Sequence, residues 1–145
     1  MLYGRYDHTI DSKNRVFVPA KYKDALGESF ILSSNGFNKC VLVYSIEEWR
    51  KYEEKLIEAS QTEADDIFRE VFSNTVDVQL DSQGRIVIPN YLKEKLKVDK
   101  EATVKNLVIL GVGTHLEIWS EEGYAEKCNA LDREKMRKDM IQLKL

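Results

Sequence analysis

The chain of 145 residues holds only two cysteines, two histidines and two prolines, and no long apolar run. Each scarcity closes off a class of protein. Cys40 and Cys128 are too few and too widely spaced for a disulfide framework or a metal knuckle, and they read as reduced packing thiols. No window approaches the roughly 18 apolar residues of a membrane-spanning helix, and the opening "MLYGRYDHTID" lacks the apolar core of a signal peptide. No membrane association and a cytoplasmic location are therefore expected.

Catalytic constellations are missing as well. No nucleophile stands at a useful spacing from a base, and no paired acids or metal ligands recur, so neither an enzyme nor a cofactor, metal or small-molecule site is expected. The glycines of "GVGTH" lack the helix that would make them a phosphate cradle and read as a turn between two strands. His8 and His115 read as packing residues. A net charge of −3 argues against a protein that coats nucleic acid without specificity, since that mode needs a broad basic surface.

What the chain does contain is one phrase written twice. "DSKNRVFVP" begins at Asp11 and "DSQGRIVIP" at Asp81, each preceded by an alternating strand, Tyr6–Ile10 and Val76–Leu80. Asp11 and Asp81 can accept from backbone N–H groups at the start of a turn, and Asn14 and Gly84 are residue types that tolerate positive φ. The apolar runs "VFVP" and "IVIP" predict strands covered on both faces, deep in the core. Short helices follow in "AKYKDAL" and "NYLKEKL", with Gly27 placed to end the first.

The likeness continues from "CVLVYSIEEW" at Cys40 to "HLEIWSEEGY" at His115, where the offset has grown from 70 to 75. Five additional residues are expected in the second copy, within "EATVKN". Ser45 and Glu48 form a helix-capping pair, and the acidic stretch that follows, with Trp49, Tyr52, Leu56, Ile67, Val71 and Phe72 at helical spacing, predicts one or two connecting helices. The final "LDREKMRKDMIQLKL" predicts a docked amphipathic helix. The organisation expected is a first repeat over 1–48, a helical connector over 49–73, a second repeat over 74–123 and a C-terminal helix over 124–145.

Basic residues gather in and just beyond the repeated turns: Lys13, Arg15, Lys21 and Lys23 in the first copy, with Arg85, Lys93, Lys95 and Lys97 in the second. Asp-x-x-x-Arg reads equally well as an ion pair across a turn and as a loop that offers a guanidinium fork to phosphate or a guanine edge.

The phrases "YDHTIDSKNRVFVPAKYKDALG", "LDSQGRIVIP" and "LGVGTHLEIWS" together resemble the MraZ family of bacterial transcriptional regulators, within the AbrB-like superfamily. The resemblance covers nearly the whole chain. It implies an α+β fold of tandem duplicated AbrB-like swapped-hairpin β-barrel halves with connecting and C-terminal helices. It also implies a ring-shaped homo-oligomer, associated with the nucleoid, that binds repeated double-stranded promoter DNA and usually represses the division and cell wall gene cluster and its own gene.

By that resemblance, Asp11 to Arg15 and Asp81 to Arg85 become the DNA-binding turns. Lys13, Arg15, Gln83, Arg85, Lys21 and Lys23 are the expected DNA contacts, and Asp11, Asn14, Asp81 and Gly84 the residues that shape the turns. The family usually has glycine where this chain has Asn14. The extra charge of Lys13 favours Arg15 over Arg85 as the stronger contact. An antitoxin-like partner protein and a purely structural ring remain the alternatives.

Overall fold

The protein is described here from a computed structural model over residues 1–59 and 65–145; residues 60–64 of the expected connector lie outside the described residues. The first repeat contributes β1 (Leu2–Thr9), β2 (Arg15–Phe17), α1 (Ala20–Leu26), β3 (Ser29–Ser33) and β4 (Cys40–Ser45). Helices α2 (Ile46–Ala59) and α3 (Asp65–Ser73) lead to the second repeat, built from β5 (Val76–Gln79), β6 (Arg85–Val87), α4 (Asn90–Lys93), β7 (Asn106–Gly113) and β8 (Leu116–Ser120). Helices α5 (Glu121–Asn129) and α6 (Arg133–Gln142) complete the chain.

The repeats exchange strands. A six-stranded sheet runs in the order β1-β7-β8-β4-β3-β5, so β1 of the first repeat pairs with the second repeat, and β5 of the second pairs with the first. Arg15 lies opposite Val87 and Phe17 opposite Arg85, while Val41 lies opposite Ile118 and Val43 opposite Leu116. Each relation maps onto its twin when the copies are exchanged, which places a pseudo-two-fold axis between Val16 and Ile86. The halves are swapped as expected, but their hydrogen bonding does not close a barrel: β1 and β5 are the edges of an open sheet, and β2 and β6 form a separate ribbon.

Three layers result. One face of the sheet packs against the ribbon, α1 and α4 through Phe30, Leu32, Ile109 and Ile118 against Val16, Val18, Ile86, Ile88, Tyr22 and Leu92. The other face carries Ile31, Leu42, Tyr44 and Trp119 under Trp49 and Leu56 of α2 and Val71 of α3. Burial of this kind stabilises by roughly 25 cal/mol per Å² of apolar surface, so both layers are needed to hold a chain of this size.

Local rules explain the element ends. Gly27 sits at φ 81° and donates its N–H to the Lys23 carbonyl, closing α1. The Ser45 hydroxyl accepts from the Glu48 N–H at 3.1 Å and the Ser120 hydroxyl from the Gly123 N–H at 2.9 Å, which starts α2 and α5 at equivalent points.

Four expectations are corrected. The proline-terminated strands are not covered on both faces: Val16, Val18, Ile86 and Ile88 point inward, whereas Phe17 and Val87 are 48% and 55% exposed. A two-stranded ribbon lying on one layer has only one face to bury, so the apolar run misled. The insertion in the second copy resolves into two events. Phe30 corresponds to Leu107, an offset of 77, because each pairs with the equivalent residue of β5 or β1. Seven residues are thus gained before β7, and two are then lost in the hairpin to β8. Third, Gly111 does not lie in a turn but within β7, opposite Gly4 of β1. Finally, α6 is not docked, since every one of its residues is exposed.

Both histidines are half-buried. His115 stacks on the Tyr44 ring with centroids 4.6 Å apart, and burial lowers its pKa against weaker opposing fields from Glu117 and Glu48. His8 lines a shallow groove with Asn106 and Glu121. Cys40 is buried, and its thiol pKa is raised to about 12 by desolvation, which leaves it chemically inert at neutral pH.

Candidate nucleic-acid interface

Each repeated turn is built around one carboxylate. Asp11 Oδ1 accepts the N–H groups of Lys13 and Arg15, both at 2.9 Å, and Oδ2 takes Arg15 Nε at 2.6 Å. The Asp11 carbonyl accepts the Asn14 N–H at 3.0 Å, and its own N–H donates to the Arg15 carbonyl at 3.2 Å. The second turn repeats every one of these contacts: Asp81 Oδ1 holds the N–H groups of Gln83 and Arg85 at 2.8 and 2.9 Å, and Oδ2 holds Arg85 Nε at 2.8 Å. Asn14 at φ 60° and Gly84 at φ 79° supply the left-handed residue that lets the chain reverse.

The carboxyl pKa values follow from this geometry. The Arg15 N–H, ahead of the Arg15 guanidinium and the Lys13 N–H, holds Asp11 below the ordinary aspartate value, and Arg85 and Gln83 do the same for Asp81. Each aspartate is therefore charged at physiological pH and fixes its arginine by Nε alone. Among the described residues, the Nη groups of Arg15 and Arg85 have no hydrogen-bond partner, so each fork remains open.

The ribbon sets where the two forks lie. Its ladder extends beyond β2 and β6, with the Val18 N–H bonded to the Gly84 carbonyl at 3.1 Å and the Ile88 N–H to the Asn14 carbonyl at 2.9 Å. With Val16 and Ile86 inward, Arg15, Phe17, Arg85 and Val87 share the outer face. Arg15 and Arg85 occupy diagonal corners, and Phe17 and Val87 occupy the other two. The Arg85 guanidinium lies 5.8 Å from the Phe17 ring centroid, and its side chain is 18% exposed against 32% for Arg15.

Further cations arrive across the axis. Lys93 of the second repeat donates to Asn14 Oδ1 at 3.0 Å, beside the first turn. Lys23 of the first repeat packs over Gly84 of the second turn, in the space an Asn14-like side chain would fill. Each turn is thus flanked by a lysine from the opposite repeat. Lys13 and Gln83 are exposed at the two turn tips.

Of the expected contacts, Lys13, Arg15, Gln83, Arg85 and Lys23 come together at the turns and ribbon. Lys21 does not join them: its ammonium sits 4.5 Å over the Tyr3 ring, beside the start of β1. Lys95 is bonded to Glu70 at 2.8 Å and Lys97 to Glu94 at 2.9 Å, so both are tied to carboxylates elsewhere. The role of Lys93 at the first turn was available from its equivalence to Lys23 at an offset of 70. Phe17 and Val87 were not, because their run reads as core.

The family profile described as "MraZ protein, putative antitoxin-like" matches residues 1–68 and again 71–144, one copy for each repeat. The chain belongs to the MraZ family. A relative from Caldanaerobacter subterraneus subsp. tengcongensis, bearing the name transcriptional regulator MraZ, is 41% identical over 91% of this chain and 90% of its own length. Proteins of the same name from Clostridium tetani and Alkaliphilus oremlandii are 39% identical over 99% of both chains, and 43% identical over 91% of this chain and 89% of the relative. These MraZ proteins are named as regulators and not as enzymes. Among the described residues, no helix is long and apolar enough to cross a membrane.

Proposed function

We propose that the chain is a sequence-specific DNA-binding transcriptional regulator that presents the β2–β6 ribbon and its two Asp-x-x-x-Arg turns to the major groove. The observation that carries this reading is the pair of open guanidinium forks, each locked at Nε by its own aspartate and held at a diagonal corner of an exposed ribbon. A major groove about 12 Å wide admits a two-stranded ribbon, and an arginine fork is the commonest partner of a guanine edge. The aspartates pre-orient the forks, so little side-chain entropy remains to be lost on binding.

Lys13, Lys23 and Lys93 add cations beside the forks, which suits them to phosphate positioning rather than base reading. One ribbon offers few such contacts. A ring of copies would engage several DNA repeats together, with avidity gains of about 10² to 10⁴ when the geometry matches. The targets we propose are repeated promoter sequences ahead of the division and cell wall genes and of this chain's own gene, in a cytoplasmic, nucleoid-associated setting; these rest on family resemblance. The purely structural ring is disfavoured by the open forks, which an ion-paired corner has no use for.

A gel-shift titration with DNA from upstream of the chain's own gene tests the reading. A specific shift that weakens steeply with salt is expected; no shift beyond that of scrambled DNA overturns it.

A further inference from the structure

Among the described residues, two surfaces outside the ribbon are apolar and uncovered. The first is α6, every residue of which is exposed, with Met136, Met140 and, just past the helix end, Leu143 on one face. A helix of that length is unstable alone in water and needs a partner for its apolar stripe. The second is a groove of about 560 Å³ between α3 and the loop joining β3 to β4, walled by Phe37, Tyr52, Ile67 and Val71 and rimmed by Asp66 and Glu70, which pair with Arg69 and Lys95. Phe37 is 81% exposed and Ile67 54%, high values for large apolar groups.

We propose that α6 of one copy docks into this groove on a second copy. Charge favours the pairing. Helices α2 and α3 together hold eight acidic and four basic residues, whereas residues 133–145 hold five basic and two acidic ones. Within one chain the two surfaces are kept apart by the β3–β4 loop. Lys127 of α5 donates to Asn38 at 3.3 Å, and Lys39 lies 3.8 Å from Glu126, which fixes α5 against one flank of that loop while Phe37 walls the groove. From α5 the chain continues into an α6 that touches nothing of its own groove.

Helix and groove are different surfaces, so the contact is heterologous, and successive copies add head to tail until the rotation closes. The inference therefore rests on the ring reading above and supplies the contact that would build it. The ribbon, on the opposite layer from α2 and α3, stays free in every copy.

Light scattering on size-fractionated protein tests the contact. The full chain should form an oligomer, and both Met136→Glu/Met140→Glu and Phe37→Asp/Ile67→Asp should reduce it to single chains whose circular dichroism loses no more than the helical signal of α6. A chain carrying Ile67→Cys, mixed with one carrying Met140→Cys in a Cys128→Ser background, should form a disulfide-linked pair on oxidation. An oligomer that persists in both double variants, with no cross-linked pair, leaves the ring standing and overturns the helix-groove contact alone. A full chain that stays single at all concentrations overturns both.

Discussion

Asn14 reaches across the pseudo-two-fold axis to Lys93, accepting the ammonium at 3.0 Å through Oδ1 while its Nδ2 donates to Asn90 Oδ1 at 2.6 Å. Asn14, which stands where the second turn has Gly84, thus does two jobs, turning the chain and tethering a cation from the other repeat. Gly84 does only the first, and Lys23 fills the vacated space.

Asn14→Gly separates those jobs. Glycine adopts the same left-handed backbone with less strain, and the relief offsets the lost hydrogen bonds, so the unfolding free energy should change by under about 1 kcal/mol. Promoter affinity should fall several-fold as Lys93 loses its tether. Unchanged affinity in a gel-shift titration would remove Lys93 from the binding surface.

Arg15→Ala and Arg85→Ala should leave melting curves close to the parent's, with the larger shift at Arg85, which also packs on Phe17, because each aspartate keeps its two backbone N–H donors when the guanidinium is removed. Each should cost roughly 1–3 kcal/mol of promoter binding, with the larger loss at Arg15, whose fork is less covered. Lys13→Ala should instead weaken binding to all sequences alike and flatten the salt dependence by about one counterion. Normal binding by both arginine variants would defeat the assignment of the turns.

Gly111→Ala probes the strand exchange. A methyl group there would meet the backbone of the neighbouring strand, at Tyr3 N and at Leu2 C, 2.6 Å away, and backbone cannot swing aside as a flexible side chain can. A loss of about 2–3 kcal/mol in urea unfolding is expected, from the outward shift of β1. A stable variant with native β1–β7 contacts would show that the pair tolerates more separation than its register implies.

The repeat, the turns, the capping serines and Gly27 were legible because each is a local contract between a residue type and a backbone shape. The partners of each strand were not: nothing local in Val76–Gln79 says that it pairs with Ser29–Leu32 rather than with its own repeat. Phe17 and Val87 misread as core for a related reason, since an apolar run records burial or an exposed contact face without distinguishing them. Periodicity in "LDREKMRKDMIQLKL" gave a helix but not the docking expected of it, because periodicity names a face and never its occupant. Lys21 and Lys23 look interchangeable in sequence, but only Lys23 lies on the side of α1 that faces the opposite turn.

Acid should destabilise the fold through His115. Burial against Tyr44 depresses its pKa below the ordinary 6.5, so the unfolded chain takes up a proton more readily than the folded one. That contribution is fully present above about pH 6.5 and is lost as pH falls toward the depressed folded value. His115→Phe keeps a ring against Tyr44 and cannot titrate, so its stability should decline less between pH 7 and 5, as followed by urea midpoints. Parallel declines would assign the effect to other groups.

A homodimer with this fold would have to accept every turn substitution twice, once on each side of its axis. Here the two sides are joined in one chain, so Lys13 can stand against Gln83, and Phe17 against Val87, with neither choice imposed on the other. The ribbon consequently has a front and a back. On the proposed reading, a duplex lying along it would be told from the same duplex turned end for end, and the orientation of a bound site would be set by the protein itself.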